Sequence, residues 1–122
     1  MKRLSIGLAA LACGLALASP TSAPVRTEIE ALLNRLQASG CEFNRNGSWY
    51  DGAKARSHLL GKLEYLEGKG TIASSEQFIE LAASASSSSG KPYEVRCGSA
   101  APMPSAKWLT RELAAIRSPA KR

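Results

Sequence analysis

Apolar residues recur at helical intervals in four stretches of this chain and alternate with polar ones in two others. In "TEIEALLNRLQASG", Ile29, Leu32, Leu33 and Leu36 line one face, and Thr27 and Glu30 stand at capping-box spacing. The pattern predicts a first helix opening at Thr27 and stopping at Gly40. Asp51 is placed to cap a second, with Ala55, Leu59, Leu63 and Leu66 as its apolar stripe and Gly68 as its end. Ser74 and Gln77 repeat the capping-box spacing ahead of Phe78, Ile79, Ala82 and Ala85, a shorter third helix. Ser105 is placed to cap a fourth, on which Trp108, Leu109, Leu113 and Ile116 face one way.

The alternating stretches are shorter. Cys41, Phe43 and Arg45 alternate with Glu42 and Asn44, and Tyr93, Val95 and Cys97 alternate with Glu94 and Arg96. Each predicts a short strand. Asn46-Gly47 is a strong hairpin signal. Asp51 follows so closely, however, that Trp49 and Tyr50 are read as a lead-in to the second helix rather than a returning arm. The fold class expected is α+β and mainly helical, with four helices and a short two-stranded antiparallel ribbon.

Between the third helix and the second strand lies "SASSSSGKPY", Ser84 to Tyr93, which has the composition of a flexible tether. A domain boundary there would leave about thirty residues downstream, too few for a core of their own. The run is therefore expected to be a tight connection. Serine hydroxyls can satisfy the last helical carbonyls, Gly90 can reverse the chain, and Pro92 can extend Lys91 into the strand.

The N-terminus sets the compartment. In "MKRLSIGLAALACGLALASPTSAP", Lys2 and Arg3 precede an uncharged run from Ile6 to Ala18, and Thr21 to Ala23 offer small residues. That is the layout of a secretory signal peptide, with an apolar run too short for a comfortable membrane span. The expected cut follows Ala23. Cys13 does not make a lipidation site, because Ala10 stands where such signals carry Leu and the apolar run continues to Ala18. The expected organisation is a leader over 1–23, one small domain over 24–117 and a frayed tail over 118–122, with the periplasm as destination.

Export changes how the cysteines and charges are read. Cys41 and Cys97 remain after cleavage, and an even number of cysteines in an exported protein points to a Cys41–Cys97 disulfide. The formal charge is +6, of which Lys2 and Arg3 leave with the signal, so the remainder carries +4. Arg117, Lys121 and Arg122 supply most of that from one end, which argues against a nucleic-acid partner.

Candidate chemistry is sparse. His58 is the only histidine and Asp51 the only aspartate, and they stand two turns apart on one expected helix. The sequence contains no G-x-S-x-G elbow, so a small hydrolase built on His58 is the weakest reading. No set of ligands points to a metal or other cofactor. Arg45, Asn46, His58 and Lys62, with Trp49 and Tyr50, can instead form a small polar cleft for an anion. The plainer alternative is that Trp49 and Tyr50 fill the core. "SGKPY" matches the S-G-x-x-Y pattern of small periplasmic lysozyme inhibitors, although those are β-rich. That match makes an inhibitor of a cell-wall hydrolase, acting through the Ser89–Tyr93 turn, an alternative reading.

Three blocks, "FNRNG", "ARSHLLGKL" and "SSEQFIELAASASSSSGKPYEV", resemble in order and spacing the YfeK-like family of small periplasmic proteins of Gram-negative bacteria, a domain of unknown function. The resemblance implies export and a single compact domain, and it brings no catalytic residues with it. Arg45, Asn46, Gly47, His58, Lys62, Phe78, Ser86, Ser87, Gly90 and Tyr93 fall inside the matching blocks. The expectation is a non-catalytic binding or interaction protein of the envelope. Its partner would be an envelope protein or a small anionic ligand, met by Arg45, Asn46, His58, Lys62, Ser86, Ser87, Gly90 and Tyr93.

Overall fold

The computed structural model describes residues 21–70 and 72–118. The expected leader lies outside the described residues up to residue 20, as does the expected tail from residue 119. The elements run α1 (Ala23–Ala38), β1 (Glu42–Arg45), β2 (Ser48–Tyr50), α2 (Gly52–Glu67), α3 (Ser75–Ala82), β3 (Glu94–Arg96), β4 (Met103–Pro104) and α4 (Ser105–Arg117). The α+β, mainly helical class holds. The sheet is wider than expected, with four antiparallel strands in the order β2-β1-β3-β4.

Both outer strands have a local cause. Asn46 and Gly47 adopt φ of 54° and 89°, the left-handed pair that a two-residue hairpin turn requires, so Ser48–Tyr50 returns beside β1. Trp49 and Tyr50 are thus a hairpin arm and not a lead-in. Asp51 still caps α2, its carboxylate accepting the Lys54 N–H at 2.9 Å. The turn is short enough for both. β4 is only two residues long, too brief to show alternation, and it pairs with Val95 and Glu94.

Two helix starts also differ. α1 begins at Ala23 with Pro24 in its first turn, a position where the missing N–H costs nothing, and the Ser22 carbonyl accepts the Arg26 N–H. α4 begins at Ser105 itself, after Pro104. α3 starts as expected, the Ser74 hydroxyl accepting the Gln77 N–H at 3.0 Å, but it ends at Ala82 and Ala85 bridges to Pro92 instead.

The core lies between the helices and one face of the sheet. Leu32, Leu33 and Leu36 of α1, Leu59 and Leu63 of α2, Phe78 of α3 and Leu109 of α4 are sealed from solvent with Phe43 and Val95 of the sheet. Each such side chain contributes about 1.5–3 kcal/mol by leaving water. α1 and α2 meet so closely that a Cβ on Gly52 would lie 2.8 Å from the Gln37 Cα and the Leu36 carbonyl oxygen. The opposite sheet face is polar, with the Arg96 guanidinium 3.9 Å above the Trp49 ring and 2.8 Å from Glu42.

Cys41 and Cys97 are joined, as expected, across 56 positions of sequence. The serine run is a tight reversal and not a tether. Ser84 Oγ donates to the Ile79 carbonyl at the end of α3, the Ser86 N–H to Lys91, and the Tyr93 N–H back to Ser84. Ser118, at the end of α4, donates through its hydroxyl to the Ala114 carbonyl. Among the described residues no helix is long and apolar enough to cross a membrane.

Two stability predictions follow from these links. Replacing both cysteines by serine is expected to lower unfolding free energy by about 4 kcal/mol, read from urea denaturation, because the reduced chain recovers the entropy of a long loop. Glu28, which accepts from Arg117 and from the Ser75 hydroxyl, is held down to about 2 from an ordinary 4.5 by those hydrogen bonds, Arg117 first. The unfolded chain therefore binds more protons in that window, and stability present above pH 4.5 is lost as pH falls toward 2. In Glu28→Gln the urea midpoint is expected to be lower at neutral pH and flatter across that acid range.

Candidate functional site

α2 carries two parallel stripes. Ala55, Leu59 and Leu63 are buried in the core. One position earlier in each turn come Lys54, His58 and Lys62, also four apart, so they form a polar stripe along the edge of the same helix. This edge faces Arg45 of β1, Tyr50 of β2 and the serine turn.

The space between is a cleft in two lobes. One, about 370 Å³, is lined by Phe43, Tyr50 and Lys54; the other, about 540 Å³, is lined by Lys62, Tyr65, Tyr93 and Ser86 to Ser88. Arg45, Ser57 and His58 line both lobes. No aspartate or glutamate lines either one.

Tyr93 organises the second lobe. Its ring is buried against Phe43, with centroids 4.9 Å apart. Lys62 Nζ donates to the Tyr93 hydroxyl oxygen and to the Ala85 carbonyl, both at 3.1 Å. An ammonium can only donate, so the Tyr93 hydroxyl hydrogen stays available to His58 Nε2, 3.0 Å away, in the neutral tautomer that carries its proton on Nδ1. Burial holds its pKa below the ordinary 6.5, and the charges of Arg45 and Lys62 push the same way.

Arg26, Arg35, Arg96 and Arg117 each meet a carboxylate. Arg45, like Arg56 and Arg111, meets none among the described residues, and its Nε is buried without a hydrogen-bond partner. Alternation along β1 puts it on the same side as Phe43, which aims the guanidinium at α2.

The expected site residues therefore divide. Arg45, His58, Lys62 and Tyr93 come together. Asn46 and Ser86 build a wall instead: Asn46 Nδ2 donates to Ser86 Oγ at 3.2 Å, and Ser89 Oγ donates to Asn46 Oδ1 at 2.6 Å. Ser86 Oγ also accepts the N–H groups of Ser88 and Ser89. Ser87 lies on the rim, and Gly90 supplies the reversal at φ 75° without lining the cleft. Sequence reading missed Lys54, Ser57 and Tyr65. The four-residue spacing of Lys54, His58 and Lys62 was the signal available.

The alternative readings meet this geometry directly. Tyr93 is 1% exposed, so the Ser89–Tyr93 turn cannot offer that side chain to a partner. His58 Nε2 faces a tyrosine rather than a serine, and Asp51 is occupied in capping α2. Among the described residues no three His, Cys, Asp or Glu side chains gather as a metal site.

Comparison with known proteins gives the following. A family model described as "Family of unknown function (DUF5329)" matches residues 23–117. The chain is similar to "Uncharacterized protein YfeK" of Salmonella typhimurium, 37% identical over 94 residues that cover 76% of this chain and 77% of that protein. No solved structure matches.

His58 should titrate, by NMR of the imidazole carbon-bound protons, below the ordinary 6.5, and Arg45→Gln should raise that value by removing a like charge. The unfolded chain protonates His58 first as pH falls, so native stability should decline below pH 6.5 and stay level just above it. A wild-type value at or above the ordinary one would contradict the Tyr93-to-His58 proton arrangement.

Proposed function

The chain belongs to the DUF5329 family of unknown function, and we propose that it is a non-catalytic binding protein of the bacterial envelope that holds an anionic ligand in the cleft beside α2. The observation carrying this reading is a pair of adjoining lobes, one lined by Lys54, the other by Lys62 and both by Arg45, with no carboxylate in either. Opposed cations in a concave, partly dry site attract a counter-ion more strongly than the same charges spread over a surface. No ion pair engages the Arg45 guanidinium among the described residues, so its terminal N–H groups can meet a ligand oxygen in the cleft.

Export to the periplasm is part of the same proposal. It is supported by the basic, apolar and small-residue order of Lys2 to Ala23 and by a disulfide of the kind that persists in oxidising compartments. A cut after Ala23 would remove Thr21, which bridges to Ile72, and Ser22 at the edge of the fold, leaving every cleft residue in place.

Titration with inorganic phosphate, followed by backbone-amide NMR, is expected to shift resonances of Arg45 and His58, which border both lobes, together with those of Lys54 or Lys62. Arg45→Gln should weaken the response about tenfold, near 1.4 kcal/mol. If millimolar phosphate moves none of these amides, or moves them unchanged in the variant, the cleft is not an anion site. For export, osmotic-shock fractions should contain a chain whose intact mass begins at Pro24, whereas a full-length chain kept in the cytoplasm would refute it.

A further inference from the structure

Resting on the anion-binding reading above, we propose that the ligand is an elongated dianion, a linear molecule with an acid group at each end and an uncharged middle. The cations do not converge on one point, as they would around a single compact anion. Lys54 lines one lobe and Lys62 the other. Eight residues separate them on α2, which is about 12 Å at the helical rise. Arg45 reaches in from the opposite wall and borders both lobes, so it can bond to an acid group in either one.

Each end has unspent donors. Lys54 Nζ has no hydrogen-bond or ion-pair partner among the described residues. Lys62 has committed two N–H bonds, to Ala85 and Tyr93, out of the three an ammonium carries. His58 presents Nδ1–H once Nε2 is taken by Tyr93. The floor between the ends is uncharged. Ser57 and Gly61 form it, and a Cβ placed on Gly61 would meet nothing within 4 Å, so the helix leaves open space there. Tyr50 at one end and Tyr65, 65% exposed, at the other supply flat surfaces beside a hydrocarbon or otherwise neutral stem.

Isothermal titration with sebacate, decanoate and succinate tests the spacing. Decanoate has the carbon chain of sebacate and one carboxylate; succinate has two that sit too close to reach both lobes. Sebacate is expected to bind at least about tenfold more tightly than either, because its second acid group binds intramolecularly once the first is seated. Lys54→Gln and Lys62→Gln should each abolish the advantage of sebacate, so that either variant binds sebacate and decanoate alike. Equal affinities for sebacate and decanoate in the wild type, or a sebacate advantage that survives in both variants, would overturn the dianion and leave a single anion subsite. No binding by any of the three, with no response to phosphate either, would remove the anion reading itself.

Discussion

The sheet register fixed by the Cys41–Cys97 bond is what the remaining geometry depends on. The two cysteines stand opposite one another, one step beyond the Glu42–Arg96 pair, with Cα atoms 4.3 Å apart. From there the ladder continues through Phe43–Val95 and Asn44–Glu94, and its next step reaches Arg45 and Tyr93. The covalent bond thus closes one end of the β1–β3 pair and the cleft opens at the other, about 13 Å away at the strand rise. A slip of one residue would turn Arg45 to the outer face, beside Trp49 and Glu42, and bring the polar neighbours of Phe43 into the core. A bond spanning so much of the chain excludes that slip before any weaker contact is counted.

Charge is segregated around this frame. Glu28 and Glu76 share Arg117, Glu67 takes Arg26, Glu112 takes Arg35, and Glu42 takes Arg96. These pairs tie helices to one another and hold the outer sheet face, and exposed pairs of this kind contribute little each. Their larger effect is to commit these carboxylates to arginines outside the cleft. The cations of the cleft have no such partner, and the charges of Arg45 and Lys62 add to burial in holding the His58 pKa below its ordinary value. The net charge of the chain gives no hint of this, since it is carried largely by the termini. Local imbalance in a concave site, rather than total charge, is the property that selects a ligand.

The helices were legible because their apolar stripes are long enough to be periodic, and β1 and β3 because cysteine and aromatic residues mark alternate positions. β4 offers two residues and no period. β2 was hidden by a competing signal: Asp51 is a true helix cap, and only the left-handed pair at Asn46 and Gly47 shows that the chain has room to return first. The starts of α1 and α4 shifted because prolines set them, Pro24 tolerated in a first turn and Pro104 with φ fixed near −56° just before the helix. In the site, Arg45, His58 and Lys62 were legible as polar groups near the strand–helix junction, and Tyr93 through the matching blocks. Lys54 shares the four-residue spacing of His58 and Lys62 and was overlooked because it sits in the capped first turn. Asn46 and Ser86 are polar residues of the right kind whose capacity is consumed in each other, which composition cannot reveal.

The free hydrogen-bonding capacity of the cleft bears on the proposed binding role. A general base needs an available lone pair aimed at the proton it takes. The Nε2 lone pair of His58 is engaged by the Tyr93 hydroxyl, and the oxygen of that hydroxyl accepts from Lys62. Ser86, Ser88 and Ser89 are bonded within the turn and to Asn46. What remains unspent among the charged and ring groups is a set of N–H donors, on Arg45, Lys54, Lys62 and His58 Nδ1. Donors fixed on a helix edge and a strand whose register is covalently locked lose little freedom when an oxyanion arrives. That set of donors is what the proposed anion capture draws on.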